Sequence, residues 1–109
     1  MPYSQELADR IQSHIGIMPG ITAKKMFGGI GFLLNGNIAC GVSGEDLIVR
    51  VPPEQTAERL AKPYTKPFDL TGKPMKGWIL VEPPGYAAED DFAAWIQQGV
   101  DYAGTLPAK

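Results

Sequence analysis

Apolar residues recur at helical spacing near both ends of the chain and alternate with polar ones between. Near the start, Leu7, Ile11, His14, Ile15 and Met18 fall on one face of a 3.6-residue period, which predicts a helix over 4–18. Ser4 is placed to cap it, Gly16 weakens it by about 1 kcal/mol relative to Ala, and Pro19-Gly20 stops it. The stretch 21–51 reads as an antiparallel meander. Asn35-Gly36 sits between two apolar runs and predicts a type I′ turn, whose central residues both need positive φ. A second turn falls at Ser43-Gly44-Glu45-Asp46, and Leu47-Ile48-Val49-Arg50-Val51 is a β-branched strand. Upstream, 22–27 is a weaker strand that runs into Gly28-Gly29-Ile30-Gly31, where missing side chains predict a bulge or a close backbone approach.

After Pro52-Pro53, residues 54–61 predict a short helix, 62–69 an irregular segment and Thr71-Gly72-Lys73-Pro74 a turn. Residues 75–82 predict a strand with Trp78, Leu80 and Lys76 on one face and Gly77, Ile79 and Val81 on the other, ended by Pro83-Pro84-Gly85. Phe92, Trp95, Ile96, Gly99, Val100 and Ala103 then line one side of a long final helix. Glu89, Asp90 and Asp91 suit the dipole of its first turn, and Gly104 suits the C′ position. The expected fold is α+β: a two-layer sandwich with a mainly antiparallel sheet of five or six strands. The two long helices cover one face, and residues 1–109 form one domain.

Composition narrows the function. The chain has 109 residues, 44% of them hydrophobic, and a formal charge of -2, so no overall basic footprint for nucleic acid or membrane exists. One Cys and one His exclude an intramolecular disulfide and a closed zinc site of the usual ligand types, and no metal or cofactor is expected. The N-terminus has neither the basic nor the apolar region of a secretory signal, and no run is long enough for a membrane helix. The expected location is the cytoplasm.

No motif predicts catalysis. The glycines at 28–31 lead into a strand and do not match a dinucleotide fingerprint, and Thr71-Gly72-Lys73-Pro74 lacks the flanking residues of a P-loop. Nothing in their spacing joins Cys40 to His14, and Cys40 reads as a small buried hydrophobe. The acids at 89–91 are accounted for by the helix dipole. The basic residues concentrate in the middle of the chain, among them Lys24, Lys25, Arg50, Lys62, Lys66, Lys73 and Lys76, whereas 82–101 carries five acids and neither Lys nor Arg. Two readings of that asymmetry stand: a local patch for nucleic acid or an acidic partner, and a solvated rim that keeps sheet edges apart. Trp78 and Trp95 read as core, with Trp78 a contact residue if it is exposed.

Three stretches together resemble the N-terminal domain of the TfoX/Sxy family. They are Lys24-Lys25-Met26-Phe27-Gly28-Gly29-Ile30-Gly31-Phe32, the Asn35-Gly36 hairpin with Asp46-Leu47-Ile48-Val49-Arg50, and Lys73-Pro74-Met75-Lys76-Gly77-Trp78 leading to Val81-Glu82-Pro83. A final helix containing Trp95 also fits, so the resemblance covers nearly all of 5–103. It implies a secretion-chaperone-like α+β architecture, a regulatory role of the kind assigned to competence regulators, and no catalytic residues. The chain length implies this domain alone, without the second, C-terminal domain of longer members.

The reading that follows is a cytoplasmic, non-enzymatic regulatory or protein-interaction domain. Its expected contact surface is Lys24, Lys25, Phe27, Gly28, Gly29, Lys76 and Trp78, with the two motifs meeting on neighbouring strands. The expected partner is another protein or a second copy in a homodimer. Two alternatives remain. One is a small-molecule binder or enzyme with a pocket where Lys or Arg converges with Trp78, Tyr64 or Tyr86. The other is nucleic-acid binding through the central basic residues, which charge reversal at Lys24 and Lys25 would weaken.

Overall fold

Helix α1 spans Gln5–Ile15 and starts where Ser4 caps it: the Ser4 hydroxyl oxygen accepts the Leu7 N–H at 3.2 Å. The computed structural model describes residues 3–26, 28–68 and 76–108. The helix ends three residues earlier than its apolar spacing predicts. Leu7, Ile11 and Ile15 are buried, but His14 is exposed, Ile17 is 96% exposed and Met18 36%. Gly16 caps the helix, and the chain turns toward β1 before Met18 could complete the stripe.

The meander forms as predicted. Strands β1 (Ile21–Met26), β2 (Gly29–Leu34), β3 (Asn37–Ser43) and β4 (Asp46–Arg50) pair antiparallel in sequence order. Asn35 and Gly36 have φ of 52° and 87°, the two positive values a type I′ turn requires. The bulge is not at the glycines. It lies between Phe32 and Leu33, where Phe32 faces Cys40 and Leu33 faces Ile38, so Ala39 is the extra residue. Of the two expectations for the glycine stretch, close approach holds: a Cβ on Gly29 would overlap the Val42 carbonyl oxygen.

Beyond β4 a single 3-10 turn (Pro53–Gln55) leads into α2 (Thr56–Leu60). The segment read as irregular contains a three-residue strand, β5 (Thr65–Pro67). It forms because β6 (Trp78–Val81) inserts between β4 and β5, giving the order β1-β2-β3-β4-β6-β5 and offering β5 a partner edge. Pro67 is tolerated there because edge strands leave N–H groups unpaired. The predicted turn at 71–74 and the predicted strand start at Met75 lie outside the described residues. Lys76 and Gly77 form a turn instead of extending the strand, with Gly77 at φ 86°. Pro83–Tyr86 is a short helical turn, α3, and α4 runs Glu89–Gly104. Gly104 is the last helical residue, not the C′ position, because Thr105 caps the helix in the right-handed region.

Cross-strand partners share a face, so Phe32, Cys40, Val42, Leu47, Val49, Ile79 and Val81 all point to one side. They form a single buried cluster with Leu7, Ile11 and Ile15 of α1 and Phe92, Ile96 and Val100 of α4. This is the expected two-layer α+β sandwich with a six-stranded antiparallel sheet. Among the described residues no helix is long and apolar enough to cross a membrane.

Candidate functional site

The sheet order divides the residues that the sequence marks as one contact surface. Lys24 and Lys25 lie on edge strand β1, and Trp78 lies on β6, four strand spacings or about 19 Å across the sheet. The two groups also sit at opposite ends of the strands. Gly29 lies toward the end where Ser43 faces Asp46, whereas Trp78 faces Arg50 at the other. The motifs therefore do not meet on neighbouring strands, because β2, β3 and β4 separate them. Nor do the two lysines form a patch. Lys24 opposes Gly31 and Lys25 opposes Ile30, so these exposed side chains leave the strand on opposite faces. Phe27 lies outside the described residues, and Gly28 is an exposed turn residue with φ 73°.

The Trp78 corner is the more elaborate of the two. Gly77 N–H donates to Thr56 Oγ1 at 2.7 Å, that hydroxyl donates to Pro53 O at 2.7 Å, and Gly77 O accepts the Val51 N–H at 3.0 Å. A Cβ on Gly77 would stand 3.1 Å from Val51 O, which adds crowding to the positive φ. This lock fixes the start of β6 and leaves Lys76 exposed beside it. Trp78 is half-buried, not core, whereas Trp95 is buried as expected. The Arg50 guanidinium carbon is 4.7 Å from the Trp78 ring centroid and 5.3 Å from that of Tyr102 on α4. Phe68 packs at 5.8 Å from Trp78, inclined by 56°. Arg50 thus meets two π faces, an arrangement worth about 0.5–2 kcal/mol per contact as desolvation increases.

Beside this corner lies a cleft of about 410 Å³ between α2 and α4, with Arg59, Gln98 and Tyr102 in its walls. Arg59 donates from Nη2 to Gln55 Oε1 at 3.1 Å. Arg50 Nε, Arg59 Nε and Gln98 Oε1 are buried and have no hydrogen-bond partner among the described residues. Sequence reading placed Arg50 at a strand end and among the central basic residues, not beside Trp78, and missed Arg59, Gln98 and Tyr102. The one signal was the spacing 98, 101, 102, 105, a polar stripe flanking the apolar face of α4.

Two other cavities bear on the pocket alternative. One, of about 370 Å³, brings Arg10 to Tyr86, and another, of about 280 Å³, brings Lys62 to Tyr64. Arg10 is already engaged: it donates to Tyr86 O at 2.9 Å and Glu89 Oε2 at 3.0 Å, and lies 4.0 Å over the Phe92 ring. The Tyr86 hydroxyl donates to Glu45 O at 2.6 Å. Here a Lys or Arg does converge with an aromatic residue, but as a tie between α1 and the start of α4.

Cys40 is fully buried, and burial pushes its thiol from the ordinary 9.0 up to about 12. His14 is exposed and packs its ring edge against Phe92 at 5.6 Å. The thiol is therefore neutral and shielded at physiological pH, the reverse of an activated nucleophile. Tyr86 is also raised, first by burial and then by Asp46 and Glu45, and Lys66 is raised chiefly by its hydrogen bond to Asp46. All three groups hold their protons longer folded than unfolded. Their contribution is intact below the ordinary values and lost as pH rises through the raised ones. For Cys40 that window runs from about 9 to about 12. The midpoint of urea unfolding should fall steadily above pH 9, and Cys40→Ala should flatten that fall. Rapid reaction of the native thiol with a disulfide reagent at pH 8 would contradict this picture. No group of three His, Cys, Asp or Glu suited to a metal occurs among the described residues.

The family model of the TfoX N-terminal domain matches residues 14–103, and the chain belongs to that family. The matched span contains all six strands and most of α4. No curated protein and no solved structure gives a significant match to the chain.

Proposed function

We propose that this domain is a non-enzymatic regulatory module that acts through protein contact, and that the contact is made at the Trp78 corner. Family membership supports the regulatory part. The observation that carries the contact reading is Arg50 held against Trp78 and Tyr102 with Lys76 exposed beside them. Trp, Tyr and Arg are the residues most often found to dominate binding energy at protein interfaces. A cytoplasmic setting, where a single thiol stays reduced, belongs to this reading.

The partner is another protein or a second copy of the chain. Edge-to-edge pairing suits neither sheet edge. β1 carries Lys24 and Lys25, and β5 carries Lys66 and Pro67, residue types that discourage strand addition. A homodimer would therefore use the corner. Nucleic-acid binding through Lys24 and Lys25 is disfavoured by their divergence onto two faces.

Photo-crosslinking in the producing cell tests the reading. A photoreactive residue at position 76 should give a discrete protein adduct, and the same residue at position 24 should give none. Trp78→Ala should remove the adduct, with a loss of about tenfold or more expected for an interface anchor. Adducts of equal yield from both positions, or from neither, would sink the proposal.

A further inference from the structure

We infer that the groove between the α2–β5 turn and the start of α4 is a docking site for a proline-rich segment of another protein, with a basic residue at one end of that segment. This goes beyond the contact reading and does not rest on it: Tyr64 sits beside Glu82, at the end of β6 opposite Trp78. Tyr64 is the residue that points there. Its φ of 64° lies in the left-handed region, and Asn35 is the only other described residue besides glycine with a positive value. A bulky side chain is disfavoured at such an angle, and glycine is not. The backbone around it is clamped. Tyr64 O accepts the Glu82 N–H at 2.8 Å, and Thr65 Oγ1 donates to Lys62 O at 2.7 Å. A Cβ on Gly85 would stand 3.0 Å from Tyr64 Cβ, so the glycine makes room for the tyrosine. The ring itself is little used by the core, since Tyr64 is 52% exposed. Neither backbone preference nor core packing accounts for a tyrosine here, and strain of this kind concentrates at ligand clamps.

Apolar rings line the groove. Pro63, Pro84 and Trp95 stand with Tyr64 around a space of about 280 Å³. That is below the range of about 300–1,000 Å³ usual for small-molecule sites, but an extended peptide lays only its rings into a surface groove. Trp95 shows its small exposed part here, and its indole N–H has no acceptor among the described residues. Indole and phenol both donate. A polyproline II run offers carbonyl acceptors, has no N–H to leave unpaired, and is ordered before it binds. Charge selects the flank. Lys62 and Asp91 line the groove, both are exposed, and neither belongs to the ion pairs Arg10–Glu89 and Lys66–Asp46. Asp90, next to Asp91, is exposed and outside those pairs as well. Carboxylates thus outnumber the ammonium and favour a ligand that ends in arginine or lysine.

The test is a 1H–15N titration of the intact chain with acetyl-hexaproline-arginine amide. Saturable shifts should fall on the Trp95 indole N–H and on residues 62–65, 84–85 and 91–95, and should spare the Trp78 indole. Two control peptides should each bind about fivefold more weakly or worse: a glycine–serine chain of the same length ending in arginine, and hexaproline ending in glutamate. Tyr64→Gly relieves the backbone and removes the ring, so affinity should fall about tenfold or more while the urea midpoint holds or rises. Tyr64→Phe keeps the ring and should keep most of the affinity. The inference is overturned if the proline probe perturbs no groove residue, if either control binds as tightly, or if Tyr64→Gly binds like the parent. Groove shifts that appear with protein concentration alone would assign the groove to a second copy of the chain and overturn it too. Crosslinking at position 76 is indifferent to all of these results, so the two readings fail separately.

Discussion

Gly99→Ala should destabilise the domain by about 3 kcal/mol or more, although the same change in an exposed helix gains about 1 kcal/mol. Gly99 is buried in the middle of α4, and a Cβ there would overlap the carbonyl oxygen of Ala39. Ala39 is the bulged residue of β3, backed by the rest of the sheet and unable to retreat as a flexible side chain would. The helix would have to lift, opening its contacts along β3 and β4. Urea unfolding of both proteins decides the matter by sign. A midpoint at or above that of the parent would show that α4 does not rest on the β3 backbone. Gly104→Ala is the control: it meets only Leu34 at 3.7 Å, so propensity should win and the variant should be as stable or slightly more so.

Phe92→Ala should cost about 3–5 kcal/mol, a large share of the 5–15 kcal/mol that holds a domain of this size together. The side chain is fully buried and lies in the cluster shared by both helices and the sheet. Its ring also carries the Arg10 guanidinium at 4.0 Å and the His14 edge at 5.6 Å. Truncation therefore removes a cavity's worth of contacts and the platform on which the Arg10–Glu89 pair rests. Phe92→Leu should cost about 1–2 kcal/mol, since most of the volume remains. Thermal and urea denaturation measure both. A loss below about 1 kcal/mol for the alanine variant would mean that the core collapses around the gap far more readily than close packing allows.

The parts of the fold that could be read from sequence are those set by neighbouring residues. Asn35-Gly36 has one turn type open to it between two strands, and the structure has both positive φ values. The face of α4 is written in a period that runs for three turns, and all six of its predicted residues are buried. What local pattern could not reveal was long-range placement. Three residues ending in Pro carry no strand signal, and β5 exists because β6 arrives from ten residues further on to pair with it. His14 fits the apolar stripe of α1, yet it is exposed while its neighbour Ile15 is buried, so it lies at the margin of the stripe with its ring edge against Phe92. The site followed the same rule. Trp78 was visible as an aromatic residue beside a glycine. Its partner Arg50 came from another strand, and the cleft joins Arg59 to Gln98 across 39 positions of chain. Lys24-Lys25 and Lys76-Trp78 belong to conspicuous motifs, but conspicuousness in sequence says nothing about which corner of a sheet each will occupy.

Tyr3 bridges to Gly44 just past one end of β3, while Asn37 at the other end of that strand donates to Pro107 O at 2.8 Å. The two described ends of the polypeptide are thus pinned to opposite poles, roughly 20 Å apart along a seven-residue strand. Pro107 leaves from the pole that holds Trp78, and Thr105 just before it stands in the wall of the cleft. Anything tethered after Pro107 is consequently delivered to that cleft at an effective concentration in the millimolar range, whatever its own affinity, while a tag fused ahead of Tyr3 is held off at the far pole. The two attachment points are not equivalent handles: an N-terminal label sits at the pole away from Trp78, and a C-terminal one sits beside the cleft.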